Sequence, residues 1–524
     1  MGTRLLKYTL LISFWALPWF GGAQTALHRW GTVLPKPSSE FRSEFVFGKS
    51  GTNSALIAQM TSYAAQISLS NYGSFSVSVF DHANGGLNQE AFEIGSKSHI
   101  VGLSGDADHI YVGIRYTDSL YVANSLIDIA DPWTPSTLLL SWSISGDSIA
   151  WTQPITSLQD FCYAPSFGFK VLTSHPNSAA LLTYSDQGVQ LDSIYIEGAL
   201  PGHLALDDRG NSYISGLYSS YDTVKVGNFS HYSGGTGLHV YALKVGTDRN
   251  GAWLQSSTDL NYAFPHITVD QTGHVWLAGE LFSSQIWGSD TLAGSQWVYD
   301  FFLVRMDTAG VIKGAWETPN TSSLTGDYRI AQRQPIAPTD SGVVLMLTNR
   351  GGVAFDGQIP LGGSTSLMDR GVTFLEFHDE YKRGETFTAG ENSNVSASGV
   401  TTAWNGAVGL WGAGFFFSDS LDCNAEVFPM DSVYNDFIGT LFFDVFATTP
   451  ETLVPNTMIY PNPTSDVIYR RPSWDSDQYC FIYDVRGTLI FEGHPSEWTA
   501  KSVESGVYIL RTLDGARTKF LVRH

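Results

Sequence analysis

Residues 206–216 of the chain read LDDRGNSYISG, and residues 269–279 read VDQTGHVWLAG. Each stretch has an Asp-x-x-Gly turn after an apolar residue and a further glycine six positions later. Four landmarks recur at a spacing of 63 residues: Asp207 with Asp270, Gly210 with Gly273, Gly216 with Gly279, and Gly251 with Gly314. Four landmarks in one register indicate a structural repeat.

Each repeat is predicted to form four β-strands. An apolar strand leads into the Asp-x-x-Gly turn, where the aspartate bonds its own turn and the glycine takes positive φ. The second strand ends at Gly216 or Gly279, and the third and fourth are predicted at residues 224–226 and 240–245, or 284–287 and 301–306. Weaker copies of strands two and four are predicted at residues 108–114 with 138–142, 341–347 with 373–377, and 406–414 with 437–443.

Four-stranded units repeated at this length are typical of β-propeller blades. Residues 24–449 are predicted to form the propeller, and their length corresponds to about seven blades, with six or eight as alternatives. The stretch at residues 207–213 resembles the SBBP repeats of secreted bacterial β-propellers. The competing interpretation is a string of β-sandwich domains, for which a period of 63 residues is short.

Residues 450–524 form a second predicted domain, a small immunoglobulin-like β-sandwich. Prolines stiffen its entry, and β-rich runs alternate with turn residues. Three motifs occur in order: Tyr460-Pro461-Asn462-Pro463, Asp484 to Gly487, and Gly506-Val507-Tyr508. The series resembles the type A C-terminal sorting domain of type IX secretion system cargo in Bacteroidota. That resemblance implies the secretion machinery as a partner and a location outside the cell or attached to its outer membrane, reached through the periplasm. The alternative is an immunoglobulin-like module with no transport role.

Residues 1–23 have the pattern of a secretory signal peptide. Two basic residues precede an apolar stretch over residues 8–20, which is short for a membrane span. Cleavage is predicted between Ala23 and Gln24, with an uncleaved anchor as the alternative. No later run is long and apolar enough for a membrane helix, so the mature chain is expected to have no transmembrane helix.

Composition narrows the functional classes. Asp and Glu number 50 against 29 Lys and Arg, and the net charge of −21 argues against nucleic-acid binding and against contact with an anionic membrane. Charged residues are 15% of the chain and aromatic residues 13%, with 52 glycines. A chain with few charges and many glycines and aromatic residues is expected to be all-β.

The sequence contains no recognisable catalytic motif, cofactor motif or metal-ligand spacing. Asp106 and Asp108, like Asp207 and Asp208, have oxygens suited to Ca²⁺, but turn formation is the favoured role. The scattered histidines, His109, His203, His266 and His274, are each expected to be hydrogen-bonded or at the surface. We therefore predict no cofactor, no metal and no catalytic set, and the ligand stays unidentified.

The three cysteines do not form a disulfide framework. Cys162 and Cys423 are separated by most of the predicted ring and can pair only if its closure brings them together. Cys480 lies on a predicted strand of the tail, where a buried and inert thiol is expected.

Two further patterns have two interpretations each. Trp276, Trp287 and Trp297 occur in one repeat, where they either stack on a sugar or, as is commoner, pack between blades. Asp-Ser/Thr followed by an aliphatic residue resembles the O-glycan acceptor motif of Bacteroidota, and equally suits a turn followed by the start of a strand. Its hydroxyl positions are Ser119, Ser148, Ser193, Thr223, Thr291, Thr308, Ser420 and Ser432.

These observations favour a secreted β-propeller that binds an extracellular carbohydrate or protein. A propeller hydrolase with carboxylates at the mouth of the ring is the second hypothesis. A structural surface component without a discrete pocket is the third. Channel carboxylates would favour the hydrolase, and exposed aromatic residues would favour binding.

Overall fold

The computed structural model describes part of the chain in detail: residues 28–34, 45–50, 54–63, 73–81, 87–164, 166–234, 237–259, 264–281, 284–294, 300–317, 327–331, 333–339, 342–350, 370–379, 381–389, 394–402, 408–416, 418, 420–423, 427–430, 434–442, 459–460, 469–470, 480–484, 489–493, 503, 506–512 and 517–522. Every regular element in these residues is a β-strand, which confirms the all-β class. The chain divides into two compact units, Met1–Val445 and Phe446–His524.

The strands of the first unit follow one another at short intervals. They are β1 (His28–Leu34), β2 (Phe45–Ser50), β3 (Ser54–Tyr63), β4 (Gly73–Asp81), β5 (Leu87–Gly105), β6 (His109–Tyr116), β7 (Ser119–Val122), β8 (Ser125–Ile129), β9 (Ser136–Ser143), β10 (Ser148–Pro154), β11 (Leu158–Ala164), β12 (Gly168–His175), β13 (Ser178–Tyr184), β14 (Gln190–Glu197), β15 (Leu200–Leu206), β16 (Ser212–Ser219), β17 (Val224–Val226), β18 (Phe229–His231), β19 (Leu238–Val245), β20 (Gly251–Asp259), β21 (His266–Val269), β22 (Val275–Leu281), β23 (Gln285–Trp287), β24 (Asp290–Leu292), β25 (Asp300–Met306), β26 (Ile312–Glu317), β27 (Asp327–Ile330), β28 (Ile336–Pro338), β29 (Val343–Arg350), β30 (Arg370–Phe377), β31 (Tyr381–Ala389), β32 (Asn394–Thr402), β33 (Val408–Phe416), β34 (Ser420–Asp422), β35 (Val427–Pro429) and β36 (Tyr434–Phe442).

Most of these strands form antiparallel arrays of four that succeed one another along the chain. The arrays are β2-β3-β4-β5, β5-β6-β9-β10, β11-β12-β13-β14, β15-β16-β19-β20, β21-β22-β25-β26, β28-β29-β30-β31 and β32-β33-β36-β1. The long strand β5 serves two arrays, because its first part pairs with β4 and its last part with β6. Strand β27 pairs with the last part of β29, on the edge whose first part pairs with β28.

The first strand of each array contacts the first strand of the next, and these contacts close on themselves. The cycle runs through β2, β5, β11, β15, β21, β28 and β32, and returns from β32 to β2. The N-terminal strand β1 completes the last array by pairing with β36, with Gly31 opposite Gly439. Sheets arranged around a closed cycle, with the first and last described strands of this unit joined in one sheet, define a propeller-like fold.

Sequence reasoning was wrong about the order of strands after the second one. Residues 240–245, predicted as a fourth strand, belong to the third, β19, and the fourth is β20, which contains Gly251. The three-residue strand at 224–226 instead folds back on β18 as a hairpin and pairs with β14 of the preceding array. The sequence of so short a strand does not specify its partner. Its partner here is the neighbouring edge strand, β14, which belongs to the preceding array.

The core consists of apolar clusters between neighbouring arrays. The repeated glycines are explained by this close packing. A Cβ on Gly216 of β16 would meet the carbonyl oxygen of Leu200 and the ring of Tyr241, and a Cβ on Gly279 would meet the ring of Phe302. Glycine is therefore needed here because of the close approach of the neighbouring strand.

The second unit is described over short stretches. Its strands are β37 (Ile459–Tyr460), β38 (Tyr469–Arg470), β39 (Cys480–Asp484), β40 (Leu489–Gly493), β41 (Gly506–Thr512) and β42 (Arg517–Val522). Strand β37 pairs with β38, and the others form an antiparallel sheet in the order β40-β39-β41-β42. Strand β39 pairs antiparallel with β40, with Ile482 opposite Phe491. In neither unit do the described residues include a helix of the length and hydrophobicity that crossing a bilayer requires.

Candidate functional site

The repeat turns are built on buried aspartates. Asp207 Oδ1 accepts hydrogen bonds from the backbone N–H groups of Arg209 and Asn211 at 3.0 and 2.9 Å. Asp207 Oδ2 accepts a third bond from the Tyr213 hydroxyl at 3.0 Å. Gly210 has a φ of 79° and donates its N–H to the Asp207 carbonyl. The carboxylate therefore ties the turn to the second strand of its array.

The next repeat has the same turn with a different aromatic partner. Asp270 Oδ1 accepts the backbone N–H groups of Thr272 and His274, each at 2.9 Å, and Oδ2 accepts Trp276 Nε1 at 2.8 Å. Gly273 has a φ of 87°. Alternation of tyrosine and tryptophan at one position preserves the donor, because a hydroxyl and an indole N–H both reach the same oxygen.

Asp106 forms this turn in an array where the sequence has only a weak copy. Its oxygens accept the backbone N–H groups of Asp108 and His109 and the hydroxyl of Tyr111, all at 2.8 Å. Burial raises the pKa of Asp106, but these hydrogen bonds outweigh burial and leave the pKa below its usual value. Of the carboxylates considered for Ca²⁺, those of Asp106 and Asp207 are thus bonded to protein donors, as the turn role requires. No group of three or more His, Cys, Asp or Glu side chains is placed to hold a metal ion in the described ranges.

Five polar side chains from different arrays form what we call the inner-strand cluster: His99, Asp160, His203, His266 and Arg333. His203 on β15 and His266 on β21 stack face to face, with ring centroids 3.8 Å apart and planes inclined by 21°. Asp160 Oδ2 on β11 lies 3.5 Å from His203 Nδ1 and accepts the backbone N–H of Leu204 at 2.9 Å. The three successive arrays that begin with β11, β15 and β21 are therefore linked through polar groups.

Arg333 reaches across the ring. It precedes β28, and its Nη2 lies 2.9 Å from Nδ1 of His99 on β5. Strands β5 and β28 are not neighbours in the cycle of first strands, so this contact spans the interior. The backbone N–H groups of Arg333 and Gln334 both donate to the Ser398 carbonyl, which fixes this segment against β32.

The electrostatics of the cluster differ from those of the whole chain. Burial lowers the pKa of His266 well below its usual value, and the positive charges of His203 and Arg333 lower it further. His266 is therefore neutral at pH 7. Asp160 is the single carboxylate among the described residues of the first strands. For β5 this counts residues 98–105, the part that forms the first strand of its second array.

Sequence reasoning missed this cluster, although one signal was present. His203 and His266 are themselves 63 residues apart, four positions before the turn aspartates Asp207 and Asp270. Asp160 occupies the same place in the preceding array, four positions before Ala164, whose carbonyl accepts the turn N–H of Phe167. An alanine at the turn hides this equivalence from a search for Asp-x-x-Gly.

A second recurrent feature is a hairpin inserted between the second and third strands of several arrays. We call these the lateral hairpins: β7-β8, β17-β18, β23-β24 and β34-β35. Each lies against the fourth strand of the preceding array. The contacts are Val122 opposite Ile94, Lys225 opposite Glu197, Leu421 opposite Ala389, and a 2.8 Å hydrogen bond from the Ile286 N–H to Ser257 Oγ. The hairpins therefore connect neighbouring arrays along their outer edges.

The two faces of each lateral hairpin differ in burial. Inward-facing residues such as Leu120, Val224 and Leu421 have no exposed surface, and Trp287 is 1% exposed. Outward-facing large apolar side chains remain accessible on or beside every one of the four. They are Tyr121, Leu126, Ile129 and Trp133 at the first, Tyr221 and Tyr232 at the second, Ile286 at the third and Val427 at the fourth.

The tryptophans considered for sugar stacking are packing residues where the structure describes them. Trp276 and Trp287 are almost fully buried, and their indole N–H groups bond Asp270 and Gln285. Trp297 lies outside the described residues. Among the described tryptophans the most exposed is Trp133, at 87%, in the turn after β8. The sequence gave no signal for it, because Trp133 occurs once and lies outside the repeat pattern.

Several of the Asp-Ser/Thr-aliphatic motifs coincide with strand starts, whereas Ser193 lies within β14 and Thr308 in the turn after β25. Ser119, Thr223 and Ser420 stand at or just before the first residue of a lateral hairpin strand, and the aliphatic residue after each is fully buried. Those three hydroxyl residues and Ser193 are partly buried, whereas Ser148, Thr291 and Thr308 are exposed. Ser432 lies outside the described residues. Burial of the aliphatic residue supports the strand-start interpretation, and glycosylation stays a prediction.

The cysteines considered for pairing occur as thiols. Cys162 Sγ on β11 contacts the Leu204 carbonyl oxygen at 3.1 Å, whereas Cys423 is buried in the cluster around the last two arrays. Cys480 is the first residue of β39. No disulfide joins Cys162 to Cys423 because each thiol belongs to a different part of the ring.

Of the sorting-motif residues, Tyr460 lies in β37, Asp484 ends β39, and Gly506, Val507 and Tyr508 begin β41. The other motif positions, Pro461, Asn462, Pro463 and Gly487, lie outside the described residues. So do Ala23 and Gln24 of the predicted cleavage site.

Comparison with known proteins gives structural similarities only. No family model and no curated protein matches the chain. Among solved structures, hydrazine synthase of Kuenenia stuttgartiensis is 10% identical, covers 74% of this chain and 96% of its own, and has a TM-score of 0.41. The Dos1 propeller is 10% identical, covering 79% and 95%, with a TM-score of 0.34. A eukaryotic initiation factor is 8% identical, covering 80% and 91%, with a TM-score of 0.34.

Proposed function

We propose that the chain is an extracellular binding protein: a seven-bladed β-propeller exported by the type IX secretion system, with residues 450–524 as an immunoglobulin-like sorting domain. Its partner is a carbohydrate or a protein outside the cell, and it is displayed at the cell surface or released. The tail motifs quoted above support the route. The cycle of first strands and the closure by β1 support the blade number.

Exposure on the lateral hairpins is the observation that carries the binding role. The hairpin β7-β8 and its following turn present Leu126, Ile129 and Trp133 at 50, 67 and 87% exposure, beside Tyr121 opposite Leu126. Contiguous exposed apolar side chains with aromatic residues are typical of surfaces that contact sugars or other proteins. Among the described strands β8 pairs with β7 alone, so its other edge is available to a partner strand.

Binding screens on the full chain test this role. The protein is applied to a glycan array, a panel of insoluble polysaccharides and extracellular protein preparations, and bound carbohydrate is analysed for products. The triple variant Leu126→Ser, Ile129→Ser, Trp133→Ser should lose at least about tenfold in affinity, as expected when an aromatic anchor and its neighbours are removed. Val311→Ser is the matched control, because Val311 is 53% exposed in a turn outside the lateral hairpins.

A partner that binds the triple variant as well as the original protein contradicts the hairpin surface, and absence of any partner favours the structural role. Detection of cleaved carbohydrate would instead favour the hydrolase hypothesis. That mechanism needs two carboxylates across the scissile bond. Among the described residues of the first strands, counting residues 98–105 as the first-strand part of β5, Asp160 is one such carboxylate. The second carboxylate would have to be sought on the loops by mutation.

A further inference from the structure

The connection between the second and third strands is unusually short in the array β11-β12-β13-β14. Strand β12 ends at His175 and β13 begins at Ser178, so residues 176 and 177 are the whole connection. This array therefore has no lateral hairpin to lie against β10, the fourth strand of the preceding array. Among the described strands β10 pairs with β9 alone. The position that a lateral hairpin takes elsewhere in the ring is thus left open between β10 and β14.

The hairpin β17-β18 shows what such an element does where it is present. Val224 and Val226 share an apolar cluster with Ile196 of β14 and with Leu254 of β20, the fourth strands of the preceding array and of their own. All four side chains are buried. The hairpin also pairs antiparallel with the last residue of β14. A lateral hairpin therefore covers apolar side chains and extends a fourth strand at the same time.

The other face of β14 is open to solvent. Tyr195 alternates along the strand with the buried Ile194 and Ile196, and it is 66% exposed. Leu191 on the same strand is 64% exposed. Leu254, which a hairpin covers, is by contrast 6% exposed. The difference in exposure follows the presence of a hairpin beside one strand and its absence beside the other.

Tyr195 faces the gap between β14 and β10. It is two positions from Ser193, so both side chains lie on one face of the strand. Ser193 stands opposite Leu182 on β13, and Leu182 packs against the same apolar cluster as Trp151 of β10. The exposed tyrosine is therefore on the side of its array that faces β10.

The backbone of β10 offers hydrogen-bonding groups to this gap. The Ile155 N–H donates to the Thr137 carbonyl beside β9 at 3.0 Å. Backbone groups alternate in direction along a strand, so those of Thr152 and Pro154 are directed away from β9. Both residues are exposed. Pro154, which has no N–H, is tolerated at such an outward position of an edge strand.

We propose that this gap is a docking site for an extended segment of a basic protein, which adds to β10 as an antiparallel strand and covers Tyr195. We call it the lateral slot, formed by Thr152 and Pro154 on one side and Tyr195 on the other. The lateral hairpins are the template for the occupant, because they pair antiparallel with fourth strands and direct alternate apolar residues inward. Addition of a strand to an open sheet edge is a common mode of peptide recognition.

Charge selects between a different protein and a second copy of this chain. The net charge of −21 makes two copies repel each other, whereas a basic protein is attracted. Strand β10 contains no charged residue, and Asp147 precedes it at one end. A segment with a lysine or arginine beside its apolar strand therefore suits both the edge and its surroundings.

Hairpin peptides with sequences from the chain itself are suitable probes. Fluorescent peptides with the sequences of residues 118–130 and 222–232 are each closed by a disulfide between added terminal cysteines, and two lysines or two glutamates are appended. Fluorescence anisotropy with the full chain should show saturable binding of at least one lysine-extended peptide. The lysine form should bind more tightly than the glutamate form, and the difference should shrink as salt is added.

Variants of the full chain locate the bound peptide. Tyr195→Ser should weaken binding about tenfold, as expected for loss of an aromatic anchor. Tyr232→Ser is the matched control, because Tyr232 is 62% exposed outside the slot, and it should have no effect. Thr152→Pro removes an outward N–H and should weaken binding about fivefold, whereas Thr152→Val keeps that N–H and should bind as the original does. Circular dichroism checks folding, and Tyr195→Ser is sufficient if Thr152→Pro does not fold.

Three results overturn the lateral slot as proposed. The first is no saturable binding of either lysine-extended peptide up to about 1 mM, the weak end of specific association. The second is binding that Tyr195→Ser leaves unchanged. The third is concentration-dependent dimerisation of the full chain in sedimentation velocity that Tyr195→Ser abolishes, which would assign the slot to a second copy.

Failure of the slot is separable from failure of the proposed binding surface on β7-β8. The slot lies between β10 and β14 and does not include that surface. The triple variant Leu126→Ser, Ile129→Ser, Trp133→Ser should retain peptide binding at the slot. Tyr195→Ser should retain any partner from the binding screens that the triple variant loses.

Discussion

The aspartate turn of the repeat makes a quantitative prediction for the variant Asp207→Ala. This change removes an acceptor for two backbone N–H groups and for the Tyr213 hydroxyl. Tyr213 has no exposed surface, so its hydroxyl would be left without this partner in the interior. An orphaned buried donor costs about 1–3 kcal/mol, and hydrogen bonds to a charged acceptor contribute about 1.5–3 kcal/mol each. Water can replace the acceptor for the two backbone N–H groups of the partly exposed turn but not for the buried hydroxyl, so we expect the free energy of unfolding to fall by about 3–5 kcal/mol.

A double-mutant cycle separates the turn from the tyrosine. Tyr213→Phe should cost about 1–2 kcal/mol, because Asp207 Oδ2 keeps the side-chain amide of Asn211 at 2.7 Å. In the Tyr213→Phe background, Asp207→Ala should cost about 1–2 kcal/mol less than in the original protein, since no hydroxyl is orphaned. The neighbouring exposed Asp208→Ala is the control and should stay within about 0.5 kcal/mol.

Urea unfolding followed by tryptophan fluorescence measures these differences as shifts in midpoint. The role assigned to Asp207 is refuted if Asp207→Ala is no more destabilising than Asp208→Ala. A coupling of zero between Asp207 and Tyr213 would show that the hydroxyl bond contributes nothing, even if the turn does.

Four other outcomes are expected. Gly216→Ala should destabilise the chain by about 2–4 kcal/mol in the same urea assay, because its Cβ would meet a backbone carbonyl; an unchanged midpoint would contradict the packing explanation. Burial lowers the pKa of His231 and His239, so below pH 6.5 the unfolded chain binds protons that the folded chain does not, and stability should fall between pH 7 and 5. Replacing His231 or His239 by glutamine should make the free energy of unfolding less dependent on pH in this range. An unchanged pH dependence in both variants would contradict this role of the two histidines. Deleting residues 450–524 should retain the protein in the periplasm, as fractionation would show; continued surface display would rule out the sorting role. If the hydroxyl motifs are glycosylated, the exposed Thr291 should be modified in the secreted protein, and intact mass should fall on Thr291→Ala; an unmodified mass would leave only the strand-start role.

The sequence predicts a good part of this fold because its repeat is marked by residues with a steric or bonding reason to recur. Gly216 and Gly279 recur because a neighbouring strand leaves no room for a Cβ. Asp207 and Asp270 recur because each completes a turn and an aromatic donor. Periodicity of these positions was therefore enough to predict the class and the length of the unit.

The strand order and the inner-strand cluster were not predictable in the same way. Residues 224–226 are apolar, polar, apolar, as any strand would be, and only the position of β14 shows that they pair with the preceding array. Arg333 and His99 are 234 residues apart in sequence and meet because the ring brings opposite arrays together. A contact across a closed ring leaves no local pattern.

The pairing of β1 with β36 has a consequence for the order in which the molecule is completed. These strands are separated by about 400 residues, and joining them in an otherwise disordered chain would cost about 5 kcal/mol in loop entropy alone. Once the intervening sheets are built, the two strands are already side by side, so this pairing is the natural last event of folding. A nascent chain must therefore carry β1 unpaired through almost the whole of its synthesis. A truncated chain that ends before residue 434 cannot form the pairing of β1 with β36, and it leaves the edge of β33 open to another molecule.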